Sequence, residues 1–363
     1  MSGGDKGGKI HRRVQKRKDI EKQWRKGEAR WSYEGDAEAD ENSLQHVLGA
    51  PRRHHLVDTH GEHEAVVVQT GGTHTLLQDG TVILRAKPRR STTSENRKST
   101  LIAIGDRVRY RPASADEAII THVYERNSWL LRQSIRDAEY AQVLVANIDM
   151  VVVTTAATAE LLRPGLIDRY LIAAAMGGMD TCVVVNKIDL PDEEDRAWVE
   201  EVAAMYRDAG YEAVLTSCVT GEGMEELRVV LKDKLSAFSG HSGVGKTSIL
   251  NELLPELREK TADLSEQSQR GMHTTTRSTL YALPGGGAIA DTPGIREFGL
   301  FYFDPAELHS YYPEFVALSR DCRFPHCTHT HEPGCAVRDA VDREEIHPLR
   351  YRNYLQILES QQA

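Results

Sequence analysis

The chain contains the stretch Gly240-His241-Ser242-Gly243-Val244-Gly245-Lys246-Thr247, whose Gly-x-x-x-x-Gly-Lys-Thr spacing is typical of a phosphate-binding loop. Glycines allow the main chain to approach phosphate oxygens, so that backbone N–H groups can point at them. We expect Lys246 to reach the β- and γ-phosphates of a nucleotide and the Thr247 hydroxyl to bind Mg²⁺. Residues 235–239 predict a strand before the loop, and residues 247–254 predict a helix whose N-terminus favours anions. Every residue from Gly240 to Ser248 is therefore a candidate nucleotide contact.

A chance match to so short a pattern is the alternative, and an Asp-x-x-Gly motif at residues 291–294 argues against it. The motif follows the apolar run 288–290, as a metal-binding loop at a strand end should. Asp291 is expected to act on Mg²⁺ through water, and the Gly294 N–H to meet the γ-phosphate. Three threonines precede it at 274–276, and Thr275 is predicted to close on the metal when GTP is bound.

A guanine-reading segment, Asn186-Lys187-Ile188-Asp189, ends the apolar run 182–185, which predicts a buried parallel strand. The Asp189 carboxylate can accept from the two N–H donors on the base edge of guanine. A second predicted strand, 212–215, leads to Ser217 and Cys218, where a base-supporting loop belongs. One tetrapeptide is weak evidence, but ligands bind at the carboxyl ends of strands in open α/β sheets, where all these segments fall. The sequence therefore predicts a site for GTP and GDP.

The order of these segments is unusual, because the guanine reader precedes the phosphate loop. The order resembles that of the circularly permuted GTPases. Joining the old termini of a doubly wound sheet and cutting it elsewhere keeps the site intact, since termini usually lie close together. In this order the switch segment and Asp291 lead directly into the C-terminal region, so nucleotide-driven movement could be passed on to it.

Three of the five cysteines fall within fourteen residues of the C-terminal region, among several histidines. Cys322, Cys327, His329 and Cys335 would form a closed, structural Cys₃His zinc site. His326 and His331 are rival ligands, and free or buried thiols are the alternative. A disulfide is not expected, since clustered Cys and His in a cytosolic protein indicate metal. Cys182 is predicted to be a small core residue and Cys218 a loop residue beside the base.

The first sixty residues differ in composition from the rest. Residues 1–30 carry eleven Lys and Arg against four acidic residues, in a chain whose net charge is −9. Few apolar residues could bury this segment, so we expect a disordered or loosely helical arm suited to phosphate backbones, or else a solvated tail without a partner. Residues 32–42 are acidic and look like a linker.

Residues 61–132 predict an all-β module. Alternating runs lie near 65–69, 73–77, 81–85, 106–111 and 118–124, and Gly71-Gly72 and Asp79-Gly80 mark turns. Five short strands suit a small barrel of the OB type, which often binds nucleic acid. Basic residues gather in its loop and alternate along one strand, so an RNA-binding face and a plain solvated face are both open: Arg85, Lys87, Arg89, Arg90, Arg97, Lys98, Arg107, Arg109 and Arg111.

The predicted architecture is a multidomain α/β and β protein of 363 residues. Its parts are an arm and linker at 1–60, an OB-type β-barrel at 61–135, a circularly permuted P-loop GTPase domain with a doubly wound sheet at 136–304, and a zinc-binding helical domain at 305–363. Residues 340–358 predict one or two helices interrupted near Pro348, which could offer Arg350 and Arg352 to RNA. The run 151–157 is too short to span a membrane, so no membrane partner is expected.

The chain resembles the bacterial RsgA family of small-ribosomal-subunit biogenesis GTPases in three features. These are the predicted barrel, the permuted GTPase domain and the Cys-x4-Cys-x-His-x5-Cys pattern. The resemblance covers nearly the whole chain, including residues 146–149, 271–276, 294–300 and 333–337. It favours His329 over His331 as the zinc ligand. It implies a cytoplasmic GTPase, expected to be a monomer, that binds the small (30S) subunit and its 16S rRNA late in assembly. It also implies that the subunit stimulates hydrolysis.

The sequence lacks the catalytic Gln at the position that it occupies in Ras-like enzymes. The position after the Asp-x-x-Gly motif, where they place a water-orienting Gln, holds Ile295. His273, beside the switch threonines, is the candidate catalytic residue, and the resemblance points to it as well; the alternative is a histidine that only packs there. Gly243 stands where potassium-dependent GTPases carry Asn, which argues against a monovalent cation. His241 and Thr247 replace the Gln and Ser usual in the family, and neither change undermines the site.

Two other functions remain open at this stage. One is a permuted GTPase of large-subunit assembly, which shares the motif order but lacks the pairing of barrel and zinc site. The other is a GTP-gated RNA-binding module in which hydrolysis is incidental, and Ile295 is compatible with it.

Overall fold

The computed structural model describes residues 61–71, 74–94, 100–133, 141–255, 277–292 and 305–362. The chain forms two compact units. The first comprises Met1–Asn147 with Thr276–Leu280, and the second Ile148–Thr275 with Tyr281–Ala363. The predicted arm and linker, residues 1–60, lie outside the described residues.

The first unit contains a closed β-barrel, as predicted. The barrel strands are β1 (His63–Thr70), β2 (Thr75–Asp79), β3 (Val82–Ser94), β4 (Arg107–Pro112) and β5 (Glu117–Val123). They pair in the order β1-β2-β3-β5-β4, and β4 pairs back to β1. The β3–β5 pairing is parallel and the others are antiparallel, which is the topology of an OB fold.

The barrel interior is filled by alternate residues of each strand. Leu77, Leu84, Tyr110 and Ile120 have no exposed surface, as the period of two along a half-buried strand requires. The Tyr110 hydroxyl donates to Asp79 Oδ2 at 2.8 Å, so this buried phenol has a partner.

A buried ion pair fastens the loop before β4 to the segment after β5. Arg126 Nε lies 2.6 Å from Asp106 Oδ1, and Arg126 Nη2 lies 2.7 Å from Asp106 Oδ2. The same carboxylate accepts from the Ala103 N–H at 2.7 Å. Burial raises the pKa of Asp106, while the hydrogen bonds and charge of Arg126 lower it.

Three strands were not predicted from the sequence. β6 (Trp129–Gln133) and β7 (Ala141–Ala146) form an antiparallel hairpin in the first unit. β12 (Ser278–Ala282) contributes Ser278 and Thr279 to the edge of β1, opposite Thr70 and Gln69. The first unit therefore takes a strand segment from far along the chain.

The second unit is built on a parallel sheet of five strands: β8 (Met150–Ala156), β9 (Asp180–Asn186), β10 (Glu212–Thr216), β11 (Leu235–Ser239) and β13 (Ala288–Asp291). Their order in the sheet is β10-β9-β8-β11-β13. The middle strand, β8, is buried at every position, because helices cover both faces of such a sheet. The helices of this part are α1 (Pro164–Met176), α2 (Glu193–Asp208), α3 (Met224–Leu231) and α4 (Lys246–Leu253).

Local chemistry fixes the ends of these helices. α1 begins with Pro164, whose missing N–H is harmless at a first helical position. At α2 the Asp192 side chain accepts from the Asp195 N–H at 3.0 Å. Acidic residues fill the first turn of α2 and Arg207 lies in the last, which matches the helix dipole. Cys182 lies in the core under these helices with no exposed surface, as predicted.

The C-terminal part of the second unit is helical. A 3₁₀ helix (Pro305–Tyr311) leads to α5 (Pro313–Ser319), α6 (Ala336–Asp342) and α7 (Pro348–Gln362). Tyr312, Phe315 and Tyr354 pack at the centre of this cluster with ring centroids 4.9 to 5.4 Å apart. The predicted interruption near Pro348 is the start of α7. The expectation that Arg350 faces RNA is wrong, because its side chain is buried against Asp168 and Glu314. Among the described residues, no helix is long and apolar enough to cross a membrane.

Candidate functional site

The phosphate loop joins β11 to α4, as its sequence predicts. All three of its glycines have backbone conformations that side chains resist: Gly240 at φ 138°, Gly243 at φ 86° and Gly245 at φ 94°. A Cβ on Gly240 would collide with the Thr154 carbonyl, and one on Gly245 with the Asn186 amide. The loop therefore needs glycine at these two positions for space as well as for conformation.

Lys246 lies over the loop that precedes it. Its Nζ donates to the carbonyls of Gly240 at 2.6 Å and His241 at 2.7 Å. Thr247 and Ser248 are exposed in the first turn of α4. A lysine, two hydroxyls and the positive end of the helix dipole thus meet at one surface, which is an arrangement suited to a phosphate chain.

The guanine-reading segment braces the phosphate loop. Asn186 is buried at the end of β9, and its Nδ2 donates to the Val244 carbonyl at 3.0 Å. Lys187, at φ 64°, directs its Nζ to the Gly243 carbonyl at 2.7 Å. The Asp189 carboxylate is exposed beyond this brace. The predicted base-binding and phosphate-binding segments therefore meet, although they lie more than fifty residues apart.

The predicted base-supporting loop lies beside this segment. Ser217 donates from its hydroxyl to Asp189 Oδ1 at 2.5 Å, which fixes the carboxylate. The Thr216 hydroxyl donates to Asn186 Oδ1 at 3.1 Å. Cys218 Sγ lies 3.9 Å from the same oxygen. Burial raises the pKa of the Cys218 thiol, and the charges of Glu252 and Asp189 add to the rise, so this group is a neutral thiol.

Sequence reasoning missed Arg196, which ties the two base loops together. Its Nη1 donates to the Ile188 carbonyl at 3.4 Å, and its Nη2 lies 2.8 Å from Glu222 Oε1. In the sequence Arg196 shows only acidic neighbours at helical spacing on α2, Glu193 three residues before it and Glu200 four after it. That pattern is common on exposed helices, so nothing in it pointed to the base loops.

Asp291 ends β13, the strand that pairs with β11, and is exposed beside the strand that feeds the phosphate loop. The next residue, Thr292, is buried, and its hydroxyl has no hydrogen-bond partner among the described residues. His273, Thr275, Gly294 and Ile295 lie outside the described residues. Their predicted roles therefore stay predictions.

The structure brings together the four predicted zinc ligands, Cys322, Cys327, His329 and Cys335. Their ligand atoms all lie within 4.8 Å of one another. His329 Nδ1 is 3.6 Å from Cys322 Sγ and 3.4 Å from Cys335 Sγ, and the two sulfurs are 4.0 Å apart. A zinc ion with bonds of roughly 2.0 to 2.3 Å fits inside such a tetrahedron.

His329 is already in its metal-binding form, whereas the cysteines must lose a proton to bind a metal. Burial, together with the charge of His309, lowers the pKa of His329 to about 4, so its imidazole is neutral and can act as a ligand. Burial raises the pKa of the Cys327 thiol to about 12. A thiol in such surroundings becomes a thiolate when it coordinates a cation.

The rival histidines point elsewhere. His331 is exposed, and its Nδ1 lies 2.8 Å from the Thr330 hydroxyl. His326 is exposed as well. His329, by contrast, is buried, with its Nε2 3.4 Å from the Ser319 hydroxyl. A partner for the second ring nitrogen is usual for a histidine that binds metal.

The Glu332 carboxylate shapes the loop that carries His329. It accepts from the N–H of Thr328 at 2.7 Å and from its hydroxyl at 2.6 Å. It also accepts from the N–H groups of Thr330 at 3.1 Å and His331 at 3.2 Å. Burial opposes the charge, but these hydrogen bonds hold the pKa of Glu332 well below its usual range.

Comparison with known proteins gives a consistent result. A family model described as RsgA GTPase matches residues 123–301. The small ribosomal subunit biogenesis GTPase RsgA of Chlorobaculum parvum is 42% identical over 80% of this chain and 95% of its own length. The protein of the same name from Photorhabdus laumondii is 39% identical over 89% of this chain and 88% of its own.

Two solved structures are similar over most of this chain. YjeQ from Thermotoga maritima aligns with a TM-score of 0.67 and 30% identity, covering 83% of this chain and 99% of that one. YloQ, described as a circularly permuted GTPase, aligns with a TM-score of 0.66 and 24% identity, covering 86% and 98%. The likeness to YloQ shows the fold alone.

Fold and site together define a circularly permuted GTPase with an N-terminal barrel and a C-terminal Cys₃His metal-binding group. Phosphate loop, guanine reader and Asp291 occupy the carboxyl edge of one parallel sheet, in permuted order. The chain belongs to the RsgA GTPase family.

Proposed function

We propose that this GTPase acts in the biogenesis of the small ribosomal subunit and that the 30S subunit stimulates its hydrolysis of GTP. The observation that carries the proposal is the pair of hydrogen bonds from Asn186 and Lys187 to the phosphate loop, which brings together the two predicted halves of a guanine-nucleotide site. The cellular context comes from the curated relatives, which are small ribosomal subunit biogenesis GTPases.

The nucleotide is proposed to lie along the edge of the sheet. Asp189, held by Ser217, would accept from the N–H donors of guanine, and Cys218 would line the base pocket. The backbone N–H groups of residues 240–248 and the Lys246 ammonium would hold the phosphates. The N–H of Gly294 is proposed to meet the γ-phosphate.

Magnesium is the proposed metal at the phosphates, where it would neutralise charge on the β- and γ-oxygens. The exposed Thr247 hydroxyl and Asp291 carboxylate offer the oxygen donors that Mg²⁺ prefers. Thr275 is proposed as a third protein contributor. In the C-terminal part, zinc is the proposed ion of the Cys₃His group, with a structural role because all four positions come from protein.

The 16S rRNA is the proposed partner of the barrel and the basic arm. The arginines of β4, which were predicted to form a basic face, make ion pairs with Glu62 and Glu64. This face therefore supports RNA binding less than expected. Lys87 and Arg89 on β3 are exposed, and the +7 charge of residues 1–30 adds to them. We further propose a monomer acting in the cytoplasm.

His273 is the proposed catalytic residue, orienting the attacking water where Ile295 cannot. We expect His273→Ala to bind GTP with unchanged affinity and to lose most of the turnover that small subunits stimulate, by about a hundredfold. His326→Ala, which removes an exposed histidine of the C-terminal part, is the matched control and should keep stimulation. Unchanged stimulated turnover in His273→Ala would refute the assignment.

The deciding assay is GTP turnover by the full chain alone, with small subunits and with large subunits. Stimulation by small subunits only is the expected result. Stimulation by large subunits only would favour a role in large-subunit assembly. No stimulation by either would favour a GTP-gated RNA-binding module, the alternative that Ile295 keeps open.

A further inference from the structure

A cluster of charged side chains lies buried where α7 packs against α1. Arg350 and Asp168 are both at most 2% exposed. Arg350 Nη1 lies 2.5 Å from Asp168 Oδ1, and Arg350 Nε lies 2.7 Å from Glu314 Oε1 on α5. Asp168 also accepts from Asn353 Nδ2 at 2.8 Å and from the Tyr206 hydroxyl at 2.8 Å. One carboxylate and one guanidinium thus fasten four helices, α1, α2, α5 and α7.

Aromatic rings enclose the guanidinium. The ring centroid of Tyr312 lies 4.4 Å from Arg350 Cζ, and those of Tyr206 and Tyr211 lie 5.5 Å away. Apolar side chains of similar volume could hold these helices at least as firmly, because burying charge is costly. The ion pairs instead specify one relative position of the helices, because the planar guanidinium of Arg350 can bind both carboxylates in only one register.

On one side the network reaches the nucleotide site. The Tyr206 hydroxyl also lies 3.0 Å from the carbonyl of Pro164, where α1 begins. The loop that precedes α1 is held at its start by the Ala157 N–H, which donates to the Asn186 carbonyl at 2.7 Å. Asn186 is the residue whose amide braces the phosphate loop. Asp168 is therefore joined through α1 to the guanine-reading segment.

On the other side the network reaches the metal-binding group. α7 carries two tyrosines next to Arg350 in the helix. The Tyr351 hydroxyl donates to the His329 carbonyl at 2.7 Å, and the Tyr354 hydroxyl donates to the Thr328 carbonyl at 2.8 Å. The position of α7 therefore sets the position of the backbone that carries the ligand His329.

We propose that the Asp168–Arg350 pair couples the metal site to the guanine-nucleotide site, so that metal-loaded protein binds GDP more tightly than metal-free protein. Arg350 is a positioning residue: the metal fixes the 328–335 loop, the loop fixes α7, and Arg350 fixes α1 and the base of the nucleotide site. Linkage then requires that GDP tighten metal binding by the same factor. This inference rests on the proposed function only in requiring that the two sites bind zinc and guanine nucleotide.

The test measures GDP affinity of the full chain by calorimetry, once loaded with Zn²⁺ and once stripped by a chelator. We expect the wild-type ratio of the two dissociation constants to be at least about fivefold. Asp168→Asn should bring this ratio close to one, since the carboxylate is lost while Arg350 keeps Glu314. Arg343→Gln removes an exposed arginine whose ion pair is with Glu345, itself exposed, and should leave the ratio unchanged.

A second measurement uses wild-type protein alone, in case Asp168→Asn does not fold. Release of Zn²⁺ to a chromogenic chelator is titrated with and without saturating GDP, and GDP should shift the zinc affinity by the same factor. Equal GDP affinities with and without zinc, or zinc affinity indifferent to GDP, would overturn the coupling. If loaded wild-type protein failed to bind GDP or to retain zinc at all, the proposed function itself would fall, and the two failures are therefore distinguishable.

Discussion

The conformation of the phosphate loop depends on single residues, and Gly240 has the least space for a side chain. Gly240→Ala would place a methyl group against the Thr154 carbonyl of the neighbouring strand. We expect GDP affinity to fall by at least about tenfold, because β11 must shift to relieve a collision that adds to roughly 1 kcal/mol of backbone strain. Calorimetric titration with GDP measures the change.

Gly243→Ala is the matched control for that variant. Gly243 also has a positive φ, 86°, but a Cβ there meets nothing within 4 Å. Its effect on GDP affinity should be clearly smaller than that of Gly240→Ala. Equal losses in the two variants would mean that conformation alone, and not the approach of Thr154, limits position 240.

At this scale the sequence indicated where the residues of each short pattern lie, while their roles in nucleotide binding stay predictions. Lys246, Asp189 and the four metal ligands fall where the motifs put them. It was a poor guide to Arg350 and Arg196, because a partner from another helix or loop decides what an arginine does. No local sequence pattern around Arg350 indicates that its partner is Asp168, which lies 182 residues away.

Within the barrel, the buried pair of Asp106 and Arg126 should dominate the stability of the β4–β5 region. Arg126→Met would leave a buried carboxylate without its counter-charge, which costs about 3 kcal/mol. We expect that loss in the unfolding free energy of the first unit, measured by the hydrogen exchange of amides in residues 63–123. Arg107→Gln is the control: its partner Glu64 is 59% exposed, so little should change.

The loss of unfolding free energy caused by Arg126→Met should depend on pH. Burial raises the pKa of Asp106 above its unfolded value, and without the guanidinium nothing of like strength opposes that rise. A carboxyl with a raised pKa costs stability once it is charged, so the deficit is full above that pKa and shrinks as pH falls through it. Denaturant unfolding of both proteins at pH 5 and pH 8 should show the smaller difference at pH 5. A larger difference at pH 5 would contradict the ion-pair account.

At the scale of elements, alternation and apolar runs predicted the five barrel strands and four of the five strands in the parallel sheet. The fifth, β8, was expected from the family resemblance, in which residues 146–149 lead into the first strand of the GTPase domain. The β6–β7 hairpin was missed, since part of it is flanked by charged residues without a turn signal. β12 was missed because its partner β1 is remote in sequence. Pairing between distant segments leaves little trace in local pattern.

For the whole molecule, metal removal should affect one unit and spare the other. Cys327 and Cys335 belong to the core of the C-terminal helices, and the barrel takes no part in it. We expect chelation to speed amide hydrogen exchange by about tenfold or more in residues 313–358, because the loop from 322 to 335 loses its cross-link. Exchange in residues 63–123 should not change. Faster exchange throughout the chain would contradict the division into two units.

Neither unit is a continuous piece of chain, and this has a consequence for synthesis. Thr279 pairs with Gln69, 210 residues earlier, on the edge of the barrel. While the protein emerges from the ribosome, the barrel strands are complete long before their last neighbour is translated. Until then the last two residues of β1 lack the neighbour that β12 provides, and an unpaired stretch of strand edge can pair with another strand. A chain that ended after the barrel would never gain β12, so the end of β1 would stay unpaired on that side although the sequence suggests a complete domain.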